Sequence, residues 1–203
     1  MVVICHAVGQ NSASIQARVS LMHHQVEKVA DVIRKGGVVA YPTEAVYGVG
    51  CDPSNPAALE RLFDLKQRPK NKGLILMASS LEQVLPYITV SAEQQARLAR
   101  TWPAAITFLV PPSDKVLTAV TGQHPLVAVR VPDHPMARAL AAAVGHPIIS
   151  TSANLSGRPA PRNHFQVMAQ LGNGLDALLV GDCDRGNKPS TIINLLTDQV
   201  IRP

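Results

Sequence analysis

The sequence predicts a mixed α/β (α+β) fold in a single domain: one sheet of parallel and antiparallel strands with helices packed on it. Three observations predict it. Segments with a 3.6-residue apolar period interleave with short, β-branched apolar runs. The interleaving is not strict, because Ile106–Val110 and Leu126–Val131 have only a loop between them, so some strands pair antiparallel. The chain has 203 residues, 46% of them apolar, which is material for one core and too apolar for a disordered chain.

The elements follow in order. Residues 1–22 carry a short apolar patch, Val2–Ile4, and then Gly9, Gln10, Asn11, Ser12 and Ser14. They lack a basic start, a long apolar run and a cleavage site, so they read as an extension or an upstream start, with the domain proper at 23–203. From Gln25, Val26, Val29, Ala30 and Ile33 keep helical spacing, and Gly36-Gly37 ends the helix. Val38–Tyr41 is a buried strand stopped by Pro42. Asn55-Pro56 supplies an N-cap and a first-turn proline for a second helix, with Leu59, Leu62 and Phe63 inward. Leu74–Met77 is a strand. Ser80 with Gln83, and Ser91 with Gln94, have capping-box spacing. Two strands follow, Ile106–Val110 and Leu126–Val131. His134-Pro135 opens an Ala-rich helix that Gly145 closes. Ile148-Ile149 is a short strand entering Ser150–Gly157, and Asn163 with Gln166 caps a helix ending at Gly172. Leu178–Val180, Thr191–Leu195 and Val200-Ile201 complete the strands.

Composition removes several classes. Lys+Arg is 19 and Asp+Glu is 14, a formal net charge of +5, yet charged residues are only 16%. The excess therefore reflects scarce acids. Aromatics are 3%, poor material for stacking bases. No apolar run approaches the ~18 residues of a membrane span. Three cysteines, Cys5, Cys51 and Cys183, include no CxxC pair, which fits a reducing, cytoplasmic setting better than a disulfide scaffold or zinc ribbon. The seven histidines show no HxxxH spacing; three precede proline, His124 among them, and read as turn or helix-start residues. GxSxG and GxxxxGK[ST] are absent, and no acidic cluster suggests a metal cage.

Four segments hold candidate chemistry. In Lys66–Gly73, four of eight residues are cations, namely Lys66, Arg68, Lys70 and Lys72. Lysine and arginine there suit phosphate oxygens, though a basic helix end is also what the helix dipole favours. In Ser150–Gly157, a buried strand runs into Ser150, Thr151, Ser152, Asn154 and Ser156, which can surround an anion with neutral donors or form a polar turn. Pro42–Gly50 follows a strand and by itself reads as a tight turn; it is no dinucleotide fingerprint, since Pro53 stands at the third glycine. Lys188-Pro189-Ser190-Thr191 leads into a strand, and Arg202 lies at the end.

Together, YPTEAVYGVG (41–50), LKQRPKNKGLIL (65–76), AVRVPDHP (128–135), STSANLSGRPAP (150–161) and KPSTI (188–192) resemble the YrdC family, in its short bacterial form, over about residues 25–203. The resemblance implies a three-layer fold with a twisted mixed sheet and a basic concave surface. It implies the reaction L-threonine + bicarbonate + ATP → L-threonylcarbamoyl-AMP + pyrophosphate + water, with Mg²⁺ carried by ATP and no protein metal site. It implies a place in N6-threonylcarbamoyladenosine synthesis at tRNA position 37, upstream of a threonylcarbamoyl-transferase complex. Residue by residue, Thr43, Arg130, Ser150 and Ser190 match threonine contacts. Lys66 and Arg68 match the catalytic K-x-R pair on the nucleotide phosphates, with Lys70 beside them. Ser152, Asn154 and Arg202 match nucleotide contacts. Met77 stands where longer members carry histidine, Ala160 replaces a serine, Ala104 replaces a glycine, and Arg202-Pro203 lacks the following glycine. Glu44, the nearest carboxylate, reads as structural. Two other readings remain at this level: a basic surface with weak RNA binding and no chemistry, and a carbamoyl-handling domain that acts only within an assembly.

Overall fold

The computed structural model describes residues 12–183 and 189–203, with residues 12–19 described by their backbone alone. The first eleven residues and Lys188 of the KPSTI segment lie outside the described residues. Seven helices and nine strands are found among the described residues. Helix α1 (Ser12–Arg34) leads to strands β1 (Val39–Pro42) and β2 (Tyr47–Gly50), then helix α2 (Pro56–Lys66) and strand β3 (Ile75–Met77). Helices α3 (Leu81–Val84) and α4 (Ala92–Thr101) precede β4 (Ile106–Val110), α5 (Thr118–Thr121) and β5 (Val127–Arg130). Helix α6 (Pro135–Val144), β6 (Ile148–Ser152), α7 (His164–Leu171), β7 (Ala177–Leu178), β8 (Thr191–Asn194) and β9 (Val200–Arg202) complete the chain.

The strands form one mixed sheet in the order β7-β1-β2-β6-β3-β5-β4-β8-β9. β3 pairs parallel with β5, and β4 pairs antiparallel with β5, as the short connection between them requires. β4 in turn pairs parallel with β8.

Strand alternation sorts the core into two clusters, one per face. Val38, Ala40, Val49, Leu76, Phe108, Val127, Val129 and Ile149 point to one face and pack with Leu59, Leu62 and Phe63 of α2, Leu98 of α4, and Val167 and Leu171 of α7. Val39, Tyr41, Met77 and Ile148 point to the other and meet Val26, Val29, Ala30 and Ile33 of α1 and Ala137, Leu140 and Val144 of α6. Each fully buried aliphatic side chain contributes roughly 1.5–3 kcal/mol through removal from water. Helices α1 and α6 cover only part of the second face. The rest, over β2, β6, β3, β5, β4 and β8, is open among the described residues.

Local rules account for the element ends. Asn55 caps α2 with its side chain on the Ala58 N–H, and Pro56 is the first helical residue. Ser91 and Gln94 form both bonds of a capping box. Gly36 and Gly145 follow α1 and α6 at positive φ, 83° and 90°.

Four expectations change. α1 begins at Ser12, well before Gln25. Pro42–Gly50 is a hairpin and not merely a tight turn: Tyr47–Gly50 is a fully buried strand whose alternate glycines hid it from period-2 reading. Gly48 is glycine because a Cβ would lie 2.9 Å from the Tyr41 ring, and Gly50 because one would lie 1.7 Å from the Ile149 carbonyl oxygen. Ser80 makes no capping bond; Gln83 accepts from the Ser79 N–H instead. The β4–β5 connection contains the short α5.

Candidate active site

The open part of the second face is the floor of a cleft of about 780 Å³. Thr43, Arg68, Arg130, Ser150, Ser152, Ser190 and Arg202, all singled out from sequence, line it. Sheet register sets their order. Ile75 of β3 lies between Ser150 of β6 and Ala128 of β5. β3 and β5 run parallel, so the residues that precede them lie at the same end: Lys72-Gly73 before β3 and His124–Leu126 before β5. β6 runs the opposite way, which brings Ser152 to that end as well. Arg130, opposite Met77, belongs to the other end.

At the Arg130 end, the guanidinium donates from Nη2 to Glu44 Oε2 in a buried ion pair. Glu44 Oε1 accepts from the Asp133 N–H at 2.9 Å. Both carboxylate oxygens are thus engaged, which supports the structural reading of Glu44. Arg130 Nε is buried and has no partner. Ser190 reaches this end beside β4, its Oγ 2.8 Å from Thr107 Oγ1. Arg202 donates from Nε and Nη2 to the Ser190 carbonyl at 3.1 and 2.7 Å. Burial, and then the Arg130 charge, hold the Arg202 guanidinium below its ordinary pKa. Sequence resemblance groups Arg202 with nucleotide contacts; the fold seats it with Ser190. Thr43 Oγ1 donates to the Val46 carbonyl across the hairpin turn at 2.6 Å.

At the other end, α2 terminates in Gln67 at φ 50°, a left-handed residue that reverses the chain. That reversal turns Arg68 into the cleft, where its Nη2 donates to the Gly73 carbonyl at 2.7 Å and its buried Nε has no partner. Burial lowers its pKa from the ordinary value. A buried guanidinium N–H without a partner, on a side chain that lines a cleft, is an unsatisfied donor that calls for an explanation.

Lys66 is placed differently from Arg68. It is 2% exposed and does not line the cleft. Its ammonium donates to the carbonyls of Ser152 and Asn154, bracing the Ser150–Gly157 loop from beneath. Burial, with the nearby Arg68 charge, pushes its pKa down to about 8. Asn154 turns its amide NH₂ to the Leu155 and Arg158 carbonyls, with Oδ1 buried and unpartnered. Lys70 is exposed and paired with Glu60, away from the cleft. Met77 is buried under α1 and α6.

Sequence reasoning missed His124 as a cleft residue and, although it counted Lys72 among the cations of the basic loop, gave Lys72 no contact of its own. The signal for both was position: each lies a few residues before a strand of the same parallel pair. Among the described residues, Glu44 is the one carboxylate that lines the cleft, and no group of three histidine, cysteine or acidic side chains suited to a metal ion occurs. No helix of the described residues is long and apolar enough to cross a membrane. The arrangement holds donors for an anion at each end, with neutral hydroxyls between.

Known proteins share this arrangement of sequence and fold. The chain is 50% identical to a threonylcarbamoyl-AMP synthase of Vibrio parahaemolyticus over 179 residues, covering 87% of this chain and 97% of that protein. It is 45% identical to the protein of the same name from Cellvibrio japonicus, covering 90% of this chain and 97% of the other. Among solved structures, P. abyssi Sua5 complexed with L-threonine superposes with a TM-score of 0.84 at 34% identity, over 89% of this chain and 54% of that one. The chain therefore spans about half the length of that Sua5. E. coli YciO matches with a TM-score of 0.77 at 29% identity, over 89% of each chain. Residues 31–203 match the profile of the Sua5/YciO/YrdC family, described as telomere recombination. With the hairpin, basic loop and serine-rich strand set around one open sheet face, the chain belongs to the Sua5/YciO/YrdC family.

Proposed function

We propose that this protein is a threonylcarbamoyl-AMP synthase, converting L-threonine, bicarbonate and ATP to L-threonylcarbamoyl-AMP, pyrophosphate and water. The observation that carries the reading is the two-ended cleft: two guanidiniums with serine hydroxyls at one end, and arginine and lysine at the other. It is supported by relatives of that name at 44–50% identity over most of the chain.

The chemistry needs little acid or base. The threonine nitrogen adds to the bicarbonate carbon and water leaves, giving a carbamate. A carbamate oxygen then bonds to the α-phosphorus as the α–β bridge breaks and pyrophosphate departs. Such transfers depend mainly on positioning and charge stabilisation. Arg130, Ser150, Ser190 and Thr43 hold the amino acid, with Arg130 on its carboxylate. Arg68 and Lys72 hold the phosphates and offset charge on the leaving pyrophosphate. Ser152 orients the nucleotide through its hydroxyl, and Lys66 keeps the loop carrying Ser152 and Asn154 in place. Arg202 holds Ser190 in place at the Arg130 end. Mg²⁺ enters on ATP; Glu44, with both oxygens engaged, is not offered to it.

The product is a carbamic–phosphoric anhydride, which water destroys. It passes to a downstream threonylcarbamoyl-transferase complex acting on tRNA in the cytoplasm. Direct RNA contact is weak, because Arg34, Arg61, Lys70, Arg97 and Arg138 are each paired with a carboxylate. Purified protein given ATP, Mg²⁺ and bicarbonate releases pyrophosphate when threonine is added. Release without threonine, or none with it, overturns the reading.

A further inference from the structure

We propose that His124 is a third contact for the polyphosphate tail of the nucleotide, completing with Arg68 and Lys72 the part of the cleft that holds the leaving pyrophosphate. The inference deepens the synthase reading and rests on it.

The basic loop does not stand alone. It is stitched to the segment from α5 to β5 by backbone bonds: the Leu74 N–H donates to Val120 O at 2.8 Å and the Gln123 N–H to Asn71 O at 3.3 Å. Two glycines permit this approach. A Cβ on Gly122, which has φ +62°, would lie 2.5 Å from the Asn71 carbonyl oxygen, and one on Gly73 would lie 3.0 Å from that of Thr121. The same Gly73 position is 3.5 Å from His124 Cδ2, so the imidazole stands against the residue whose carbonyl receives Arg68.

Lys72 and His124 both line the cleft, and no hydrogen bond or ion pair engages either side chain among the described residues. Among the described residues no carboxylate lines this end, since Glu44, the one that lines the cleft, sits at the other end with Arg130. Three donors of one polarity therefore line the cleft at the end opposite Arg130. Such a set suits a group bearing several negative oxygens, and an imidazole N–H serves whether neutral or cationic. The turn role that His124-Pro125 suggests in the sequence does not require the imidazole; the cleft gives it a use.

The contact is specific to phosphates beyond the first, which selects the test. Calorimetric binding of ATP, pyrophosphate and AMP is compared between the unaltered protein, His124→Ala and His124→Arg. His124→Ala weakens ATP and pyrophosphate about fivefold and leaves AMP within twofold; His124→Arg restores ATP binding. Equal weakening of AMP and ATP, or unchanged ATP binding in His124→Ala, overturns the inference and leaves the synthase reading standing. Failure of the unaltered protein to bind ATP overturns both. His124 is exposed, so thermal melting of the variants is expected to match that of the unaltered protein.

Discussion

Arg130 and Glu44, 86 positions apart, meet in a buried ion pair that fixes the β1–β2 turn against the cleft floor. Removing one partner of such a pair leaves an uncompensated buried charge, typically a loss of 3–5 kcal/mol. Glu44→Ala is expected to destabilise the protein by that order, read from denaturant unfolding. Glu44→Gln keeps one acceptor oxygen, for Arg130 or for the Asp133 N–H, and turns an NH₂ donor toward the other. It is expected to raise the KM for threonine several-fold, with the KM for ATP little changed. A kcat that collapses in Glu44→Gln at unchanged KM would instead make Glu44 a catalytic base.

The two flanking lysines are separable. Lys72 lines the cleft, whereas Lys70 is exposed and paired with Glu60. Lys72→Ala is expected to raise the KM for ATP about tenfold, the range of a lost charge-assisted contact. Lys70→Ala is expected to stay within twofold. Steady-state kinetics in ATP decide it, and the reverse pattern would return the phosphate role to Lys70.

Lys66 carries a pH signature. Its pKa of about 8 lies below the ordinary 10.5 because burial disfavours the charged ammonium. Folding therefore works against this proton: the penalty is fully present below pH about 8 and fades as pH rises toward 10.5. Lys66→Met removes the penalty and the brace together. Melting temperature at pH 7 is expected to hold or rise while turnover falls at least tenfold. ATP phosphates near the braced loop favour the ammonium form, so ATP binding at pH 8.5 takes up protons. Calorimetry in buffers of different ionisation enthalpy reads the uptake, and Lys66→Met abolishes it.

Tyr47 ties the hairpin to the far side of the chain. Its hydroxyl donates to the Gly181 carbonyl and accepts from the Gly181 N–H at 3.0 Å. Tyr47→Phe leaves two backbone groups without that partner and is expected to cost about 1–3 kcal/mol. Urea unfolding with an unchanged slope measures it.

A chain beginning at Met22 is expected to keep fold and activity. Among the described side chains, the buried face of α1 starts at Gln25 and Val26 and continues through Val29, Ala30 and Ile33. Loss of soluble protein on removal of residues 1–21 would make the earlier turns of α1 part of the core.

Much of this was legible beforehand because local chemistry and tertiary structure agree. Asn55-Pro56 and Ser91 with Gln94 name their own helix starts, and Leu126–Val131 sits on a strand that any sheet would bury. The site residues from Thr43 to Arg202 were found through ordered motifs, and seven of them converge on one cleft. What sequence could not supply was register. Tyr47–Gly50 escaped because two of its four residues are glycines, demanded by a tyrosine ring and by a carbonyl on another strand. Lys66 and Arg68 look equivalent in a K-x-R motif, yet the left-handed Gln67 between them sends one beneath a loop and the other into the cleft. His124 gains meaning only once β3 and β5 are known to be parallel.

The cleft floor also works as a ruler. Its two ends are tied to positions along the same parallel strands, and each residue of strand advances about 3.3 Å. From Gly73 to Met77 the floor thus measures off roughly 13 Å, a length that side-chain changes on the loops cannot alter. Descendants of this sheet can exchange what the loops recognise at either end. The spacing between the two ends is inherited with the strands, and a one-residue slip would turn the floor over and expose the core.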